Sequence, residues 1–353
     1  MPTPMPDSKP TPPNALRLAL HRLAAGDSLS EEAAAAAFAE VMAGGAPAAS
    51  VGGLLLAMRT RGETAAEIAG AVRALRGAMR RVETPMQSRL VDTCGTGGGV
   101  ISTLNLSTAA AFVVAGAGIP VAKHGNRSFT SRSGSADVLE ALGISLELEP
   151  TQAADLLDRT GLVFLFAPLY HPAMRHIAAV RRELGVPTLM NLVGPLANPA
   201  GAERQVVGVS DPQRAPLLAA ALARLGARHA LVVHAVIGMD EISPVGETDV
   251  WEVREGAVTT WRLDPAAFGL EAADLAGLGG GEPEQNAERI ESLFRSPTAA
   301  APALRAAVLL NAAAAVYVSG RDLDWNAAVA LVTESLRSGA ARERLEQLRS
   351  AGR

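Results

Sequence analysis

From Leu16 to about Val82 the apolar and polar positions recur with a helical period, and no strand-like run interrupts them. Ser28-Leu29-Ser30-Glu31-Glu32 sets hydroxyl caps and acids ahead of an apolar stretch over residues 33–42, and Gly44-Gly45 stops it. Residues 50–59 and 64–79 predict two further helices, the second opened by Thr64 with Glu67 three positions on. These helices predict a small helical domain over 14–84, with Glu83-Thr84-Pro85-Met86 as a hinge.

From Arg89 the pattern changes. Short β-branched runs at 163–166, 206–209 and 230–234 sit between helical stretches at 151–159, 171–184 and 215–225. Such alternation predicts an α/β domain over 89–350, built on a parallel or mixed sheet with helices on its faces. Residues 250–253 and 258–263, split by Glu255-Gly256, predict a hairpin. Helices follow at 286–294, 304–318 and 325–349. The Gly-Pro and Asn-Pro steps within 186–205 predict an irregular second link between the two parts. The chain holds no internal repeat.

Two glycine-containing turns stand one helix apart. The first is Asp92-Thr93-Cys94-Gly95-Thr96-Gly97-Gly98-Gly99, after the apolar pair Leu90-Val91. The second is Lys123-His124-Gly125-Asn126-Arg127, after the apolar residues 119–122. Between them Ser107-Thr108 reads as the hydroxyl cap of a helix over 107–114. Strand, glycine turn, capped helix, strand and basic turn together place backbone N–H groups and a lysine around phosphate. Taken alone, the first turn is served equally well by a tight bend without ligand, and Ser107 and Thr108 by capping. The tract Ser102-Thr103-Leu104-Asn105-Leu106 adds hydroxyls and an amide suited to phosphate or a hydrated cation.

After Lys123, the residues Arg127 and Arg132 add charge, and Ser128, Thr130, Ser131, Ser133 and Ser135 add donors. This reads as a loop closing over an anion, with a solvated loop as the plain alternative. His124 fits a base or, better, a pocket wall. Asp240-Glu241 follows a strand-like run, where adjacent carboxylates suit Mg2+; elsewhere such pairs are solvated surface. Tyr170-His171-Pro172-Ala173-Met174-Arg175-His176 precedes Arg181-Arg182. His171 and Arg181 would lie about 80° apart around an ideal helix. Arg181 could clamp a carboxylate, or simply be exposed.

Composition narrows the partners. In 353 residues the net charge is −4 and aromatics make up 3%, which argues against nucleic-acid binding. The single cysteine, Cys94, excludes an intrachain disulfide and a cysteine-based zinc cluster and points to a reducing, cytoplasmic setting. Residues 1–13 carry no apolar core of a secretory signal and read as a disordered leader. The apolar run 109–122 is broken by Gly116, Gly118 and Pro120, so no membrane span is expected.

Taken together, these segments resemble the anthranilate phosphoribosyltransferase family over roughly residues 28–318. The resemblance rests on Gly95-Thr96-Gly97-Gly98, Asn105-Leu106-Ser107-Thr108, Lys123-His124-Gly125-Asn126-Arg127 and Ser133-Gly134-Ser135-Ala136-Asp137. It rests also on His171-Pro172-Ala173-Met174-Arg175, on Asn191-Leu192-Val193-Gly194-Pro195-Leu196-Ala197-Asn198-Pro199, and on Gly238-Met239-Asp240-Glu241. It implies the nucleoside phosphorylase/phosphoribosyltransferase type of two-domain fold and a homodimer through the helical domains. The implied reaction joins anthranilate and 5-phosphoribosyl 1-diphosphate (PRPP), in tryptophan biosynthesis. By resemblance, Gly95, Gly98, Gly99, Thr103, Asn105, Leu106, Ser107, Thr108, Lys123 and Ser135 would hold PRPP. Ser107, Asp240 and Glu241 would hold Mg2+. Gly95, Asn126, His171 and Arg181 would meet anthranilate, and Lys123, His124 and Asn126 would act at the reacting centre.

One departure stands out. The family commonly carries Asp where this chain has Gly99, and Gly where it has Val100. The change implies an altered dependence on Mg2+. Two other readings are a pyrimidine nucleoside phosphorylase-like enzyme and a non-enzymatic nucleic-acid-binding relative. The second turn and the 191–199 run argue against the first, and the acidic balance against the second.

Overall fold

The computed structural model describes residues 14–99, 101–128 and 132–351. The leader expected over 1–13 lies outside the described residues, as do Val100, Thr130 and Ser131.

Four helices form the first unit: α1 (Ala15–Ala24), α2 (Glu31–Ala43), α3 (Ala48–Arg61) and α4 (Ala65–Ala78). Their ends follow the sequence signals. The Ser30 hydroxyl accepts from the Ala33 N–H, and Thr64 and Glu67 close a reciprocal capping box. Glu67 is fully buried; both its oxygens accept from one Nη of the Arg61 guanidinium at 2.6 Å, and Oε1 also takes the Leu29 N–H at 2.9 Å. A carboxylate can be buried here because each oxygen is paired. Gly70 lets α4 cross α2 closely, since a Cβ there would stand 2.7 Å from that of Ala34.

The second unit runs β1 (Val91–Gly95), α5 (Leu106–Gly116), β2 (Val121–Gly125), α6 (Ser135–Ala141), α7 (Pro150–Thr160) and β3 (Leu162–Phe166). Then come α8 (Ala167–Tyr170), α9 (Arg175–Leu184), α10 (Met190–Val193), β4 (Arg204–Gly208), α11 (Ala215–Arg224) and β5 (His229–Ala235). It ends with the hairpin β6 (Thr248–Arg254) and β7 (Ala257–Leu263), and with α12 (Pro283–Arg295), α13 (Pro302–Tyr317), α14 (Trp325–Arg337) and α15 (Ala340–Ala351). The seven strands lie in the order β3-β2-β1-β4-β5-β6-β7; β1 to β5 are parallel and the hairpin is antiparallel. The chain leaves β1 toward β2 on one side and returns as β4 on the other. The carboxyl ends of β1 and β4 are therefore the place where such a sheet opens a crevice.

One face of the sheet is covered by α5 and α13, which are apolar almost all round and buried. The other face continues into the helical unit: Phe38, Leu54, Ile68, Leu196, Val207 and Val232 belong to one apolar cluster. Glu31 joins the units further, meeting Arg73 of α4 at 2.8 Å and Arg224 of α11 at 3.3 Å.

Several local expectations need correction. The helix expected from Ser107 begins at Leu106, with Asn105 at its N-cap and no side-chain cap bond. Lys123, His124 and Gly125 are strand, not turn. The stretch 171–184 is helical only from Arg175; Pro172 sits in a separate short turn, where its missing N–H costs nothing. The long terminal helix breaks between Arg337 and Ala340, where Gly339 takes φ +85°. The segment 135–141 is a helix that its serine and glycine content hid.

Candidate active site

The glycine turn leaves β1 beside β4. Gly95 pairs with Gly208, the Thr96 N–H donates to the Gly208 carbonyl at 2.8 Å, and the Ser210 hydroxyl holds the Gly97 carbonyl at 3.0 Å. Gly97 and Gly98 take φ +67° and +81°, a pair of left-handed residues that bends the chain without a side chain to cover it. Asp240 stands against this turn. A Cβ on Gly99 would lie 3.1 Å from its Oδ1, and one on Gly95 3.7 Å from its Oδ2.

Glu241 reaches into the first turn of α5. Its Oε1 accepts the Ser107 N–H at 3.0 Å and its Oε2 the Thr103 hydroxyl at 3.2 Å. From β2, Lys123 donates to the Thr93 carbonyl and, at 3.1 Å, to the Ser107 hydroxyl. The lysine is buried, and burial lowers its pKa while Asp92 and Glu241 oppose the shift. Burial and the neighbouring Asp240 push the Glu241 carboxyl up to about 8, and burial raises that of Asp240 as well. Thr93, Cys94, Ser107, Gly208, Asp240 and Glu241 line one small cavity. The Thr108 hydroxyl is buried and finds no partner among the described residues.

Beneath the site lies Asp92, fully buried. Its Oδ1 accepts the His124 N–H at 3.1 Å, and its Oδ2 the Asn198 amide at 2.8 Å and that of Gln205 at 3.4 Å. It thereby ties β1 to β2, to β4 and to the irregular 186–205 segment. The imidazoles of His124 and His171 pack with centroids 5.0 Å apart. Burial drives both toward the neutral form, His124 to about 3 and His171 to about 4. The rings face backbone, His124 toward Gly194 and His171 toward Ala197, and this hydrogen bonding opposes the burial shift in each. The two rings form a neutral, partly aromatic wall.

Other expected residues are placed less directly. The Leu106 side chain is in the core and its N–H bonds the Leu104 carbonyl, so it meets no ligand through its side chain. Arg127 is bound by Asp137 at 2.9 Å and Glu140 at 2.6 Å, which removes it from the expected free basic cluster. The Ser135 hydroxyl donates to the Asn126 carbonyl at 3.2 Å, and the Asn126 side chain accepts from the Arg127 N–H at 2.7 Å. Arg181 lies on α9, half-buried, with its pKa lowered by burial and no acceptor among the described residues. It makes no hydrogen bond to Asn126.

The chain is similar to known proteins over most of its length. The family described as "Glycosyl transferase family, a/b domain" matches residues 87–342, and "Glycosyl transferase family, helical bundle domain" matches 17–79. An anthranilate phosphoribosyltransferase from Desulforudis audaxviator is 49% identical over 334 residues, 94% of this chain and 95% of that protein. One from Methanosarcina acetivorans is 46% identical, across 94% of this chain and 88% of the relative. The chain belongs to the anthranilate phosphoribosyltransferase family. The crystal structure of the Thermus thermophilus member superposes with a TM-score of 0.88 at 44% identity, covering 94% of this chain and 98% of that one. The Saccharomyces cerevisiae member, solved in complex with PRPP and Mg, gives 0.86 at 28% identity, covering 95% and 97%.

Within this family fold, three residues joined to the site were not singled out by the sequence for that role. Asp92 was visible only as the start of the glycine turn. Gln205 and Asn286 are single amides inside regular elements. Asn286 is buried and meets the site through Asn105.

Proposed function

We propose that this chain transfers the 5-phosphoribosyl group of PRPP to the amine of anthranilate, releasing pyrophosphate, as a step of tryptophan biosynthesis in the cytoplasm. The observation that carries the reading is the joining of three features at one sheet crevice. These are a bare glycine turn with a buried lysine, an adjacent acidic pair, and a neutral histidine wall. The first suits a diphosphate, the second a cation, and the third an aromatic acceptor.

In the reaction the amine nitrogen forms a bond to C1 of the ribosyl group. The C1–O bond breaks, its electron pair leaves with pyrophosphate, and the amine loses one proton. Aniline-type nitrogen is a nucleophile without prior deprotonation, so no strong base is needed. Positioning and stabilisation of the leaving group carry the rate. Lys123 and the N-terminal end of α5 face negative charge, and the Thr108 hydroxyl offers an unused group. Gly95, Gly98, Gly99, Thr103, Asn105 and Ser135 border the same diphosphate. Arg181 supplies an unpaired cation for the anthranilate carboxylate, with Asn126 beside it in this reading and His124 and His171 along its route.

The acidic pair fits Mg2+. Asp240 and Glu241 are adjacent and half-buried, and desolvation pushes both toward protonation, a tension that a hard cation would relieve. Among the described residues no third His, Cys, Asp or Glu joins them, so the Ser107 hydroxyl, water and substrate oxygens would complete the set. Bound Mg2+ would neutralise charge on the departing diphosphate.

A homodimer through the helical domains is part of the same reading. Leu18 on α1 and Leu56 on α3 are large apolar side chains left 51% and 45% exposed. Among the described residues no helix is long and apolar enough to cross a membrane. Loss of anthranilate fluorescence that requires enzyme, PRPP and Mg2+ together supports the reaction. Absence of loss across a wide Mg2+ range, with folded protein, overturns it. Sedimentation at the mass of one chain overturns the dimer.

A further inference from the structure

Asn286 sits in the first turn of α12, fully buried, far from every segment the sequence assigned to the site. Its amide orientation is set by backbone, which leaves no freedom of choice. The Gly281 N–H can only donate, and it meets Asn286 Oδ1 at 2.9 Å; the Gly281 carbonyl can only accept, and it meets Nδ2 at 3.3 Å. Nδ2 then donates to Asn105 Oδ1 at 3.0 Å.

The far side of Asn105 is fixed the same way. Its Nδ2 donates to the Ser133 carbonyl at 3.1 Å, and the Ser133 hydroxyl meets its Oδ1 at 3.3 Å. The Asn105 oxygen is thus held by the Asn286 amide, with the Ser133 hydroxyl shared between it and the Gly134 carbonyl at 3.5 Å, and the amide nitrogen keeps one N–H beyond its bond to the Ser133 carbonyl. Asn105 is the N-cap residue of α5, yet its oxygen makes no cap bond, being turned instead to Asn286 and Ser133. A donor there suits an anion, whereas a flipped amide would present an oxygen to it.

The segment carrying Asn286 is itself sewn to the tract before α5. The Leu104 N–H donates to the Leu278 carbonyl at 2.8 Å, the Gly280 N–H to the Ser102 carbonyl at 3.1 Å, and Thr103 bridges Gly279. Gly280 lies so close that a Cβ would stand 3.0 Å from the Thr103 carbonyl carbon.

We propose that Asn286 is a positioning residue: it holds the Asn105 amide so that an N–H, not an oxygen, is left for the diphosphate of PRPP. This rests on the functional reading above, in which Asn105 borders that diphosphate.

The test is Asn286→Asp, an isosteric change that keeps the bond from Gly281 but cannot donate to Asn105. The KM for PRPP should rise about tenfold, the effect of one lost hydrogen bond to a charged group, with the KM for anthranilate within about twofold. In an Asn105→Ala background the same substitution should add less than about twofold, because its effect passes through Asn105. Equal rises in both KM values, or effects that multiply in the double variant, assign Asn286 a structural role only and overturn the proposal. Thermal stabilisation by PRPP alone gives a readout that needs no acceptor. Wild-type protein stabilised by PRPP but inactive on anthranilate would overturn the acceptor assignment and leave this proposal standing if Asn286→Asp loses the stabilisation. Equal stabilisation of both proteins overturns the proposal, and no stabilisation of the wild type overturns both. Asn286→Ala, free of the added charge, should move the same parameters in the same direction.

Discussion

Lys123 and Glu241 hold Ser107 from opposite sides: the ammonium meets its hydroxyl at 3.1 Å and the carboxylate its N–H at 3.0 Å. An amine, a carboxyl group and the first turn of α5 are thus joined through one small residue. Lys123 lies on β2 and Glu241 just beyond β5, so the site forms only when the sheet is complete.

The first prediction concerns that lysine. Lys123→Met keeps most of the stem and removes the charge facing the diphosphate. kcat/KM should fall by about a hundredfold or more, as expected for a buried group that stabilises developing negative charge. Asp240→Asn should act similarly through the cation. His124→Asn should cost less than about tenfold, since a neutral wall residue contributes position rather than charge. Steady-state kinetics on the three variants decide this; comparable losses at all three would remove the distinction.

Gly99 offers a second test. A Cβ at this position is 3.1 Å from Asp240 Oδ1, a tight contact, and a carboxylate there would bring a third acidic group toward two half-buried ones. Such a cluster repels itself without a cation and gathers one when it is supplied. Gly99→Asp should therefore lower the thermal midpoint in chelator, restore it on adding Mg2+, and lower the Mg2+ concentration for half-maximal activity. Superimposable Mg2+ curves for the two proteins would show that Gly99 does not set metal dependence.

Acid stability follows from the histidine pair. His124 and His171 are lowered from 6.5 to about 3 and about 4, burial being the first cause in each. Between 6.5 and those values the unfolded chain binds protons that the folded chain refuses. The pair's contribution to stability is then fully present above about pH 6.5 and is lost as pH falls toward 4, by at most about 2.7 kcal/mol per pH unit for two sites, while Glu241, raised to about 8, acts in the opposite sense and offsets part of it. Urea midpoints measured from pH 7.5 to 5 should drop steeply in the wild type and less in His124→Asn/His171→Asn. Parallel curves would assign the loss to other groups.

The parts of the site that were legible in the sequence are those whose chemistry is carried by neighbouring residues. Gly97-Gly98 announces a backbone turn and Asp240-Glu241 a pair of carboxylates, each within a few positions, as Thr64 with Glu67 announces the capping box of α4 outside the site. What stayed hidden depends on contacts across the chain. Asn286 meets Asn105 across 181 residues, and Asp92 meets Asn198 across 106. Arg127 looked free because Asp137 and Glu140 lie one helix onward, on an α6 that the serine-rich composition concealed. Periodicity likewise separated the helical and α/β parts. It could not show that Phe38 and Val232 share one apolar cluster, because a helix period says which face is apolar and not what covers it.

The last prediction tests whether the acidic pair depends on strand packing. Gly208 ends β4 opposite Gly95, and its α-carbon lies against the backbone of Asp240, so that an added Cβ would run into the Asp240 carbonyl. The obstacle is backbone rather than a flexible side chain, so the loop bearing Asp240 and Glu241 would have to move. Gly208→Ala should cost about 1–3 kcal/mol, the range for overpacking a close contact. It should also weaken Mg2+-dependent activity in the fraction that remains folded, since the two carboxylates would lose their register with Ser107 and Thr103. Gly77→Ala in α4 is the control: nothing approaches its Cβ position, and alanine in a helix should leave stability unchanged or raise it. Urea unfolding with a parallel Mg2+ titration distinguishes the cases. A Gly208→Ala protein as stable as the wild type, with the same Mg2+ curve, would mean that the Asp240 loop is not fixed by its contact with β4.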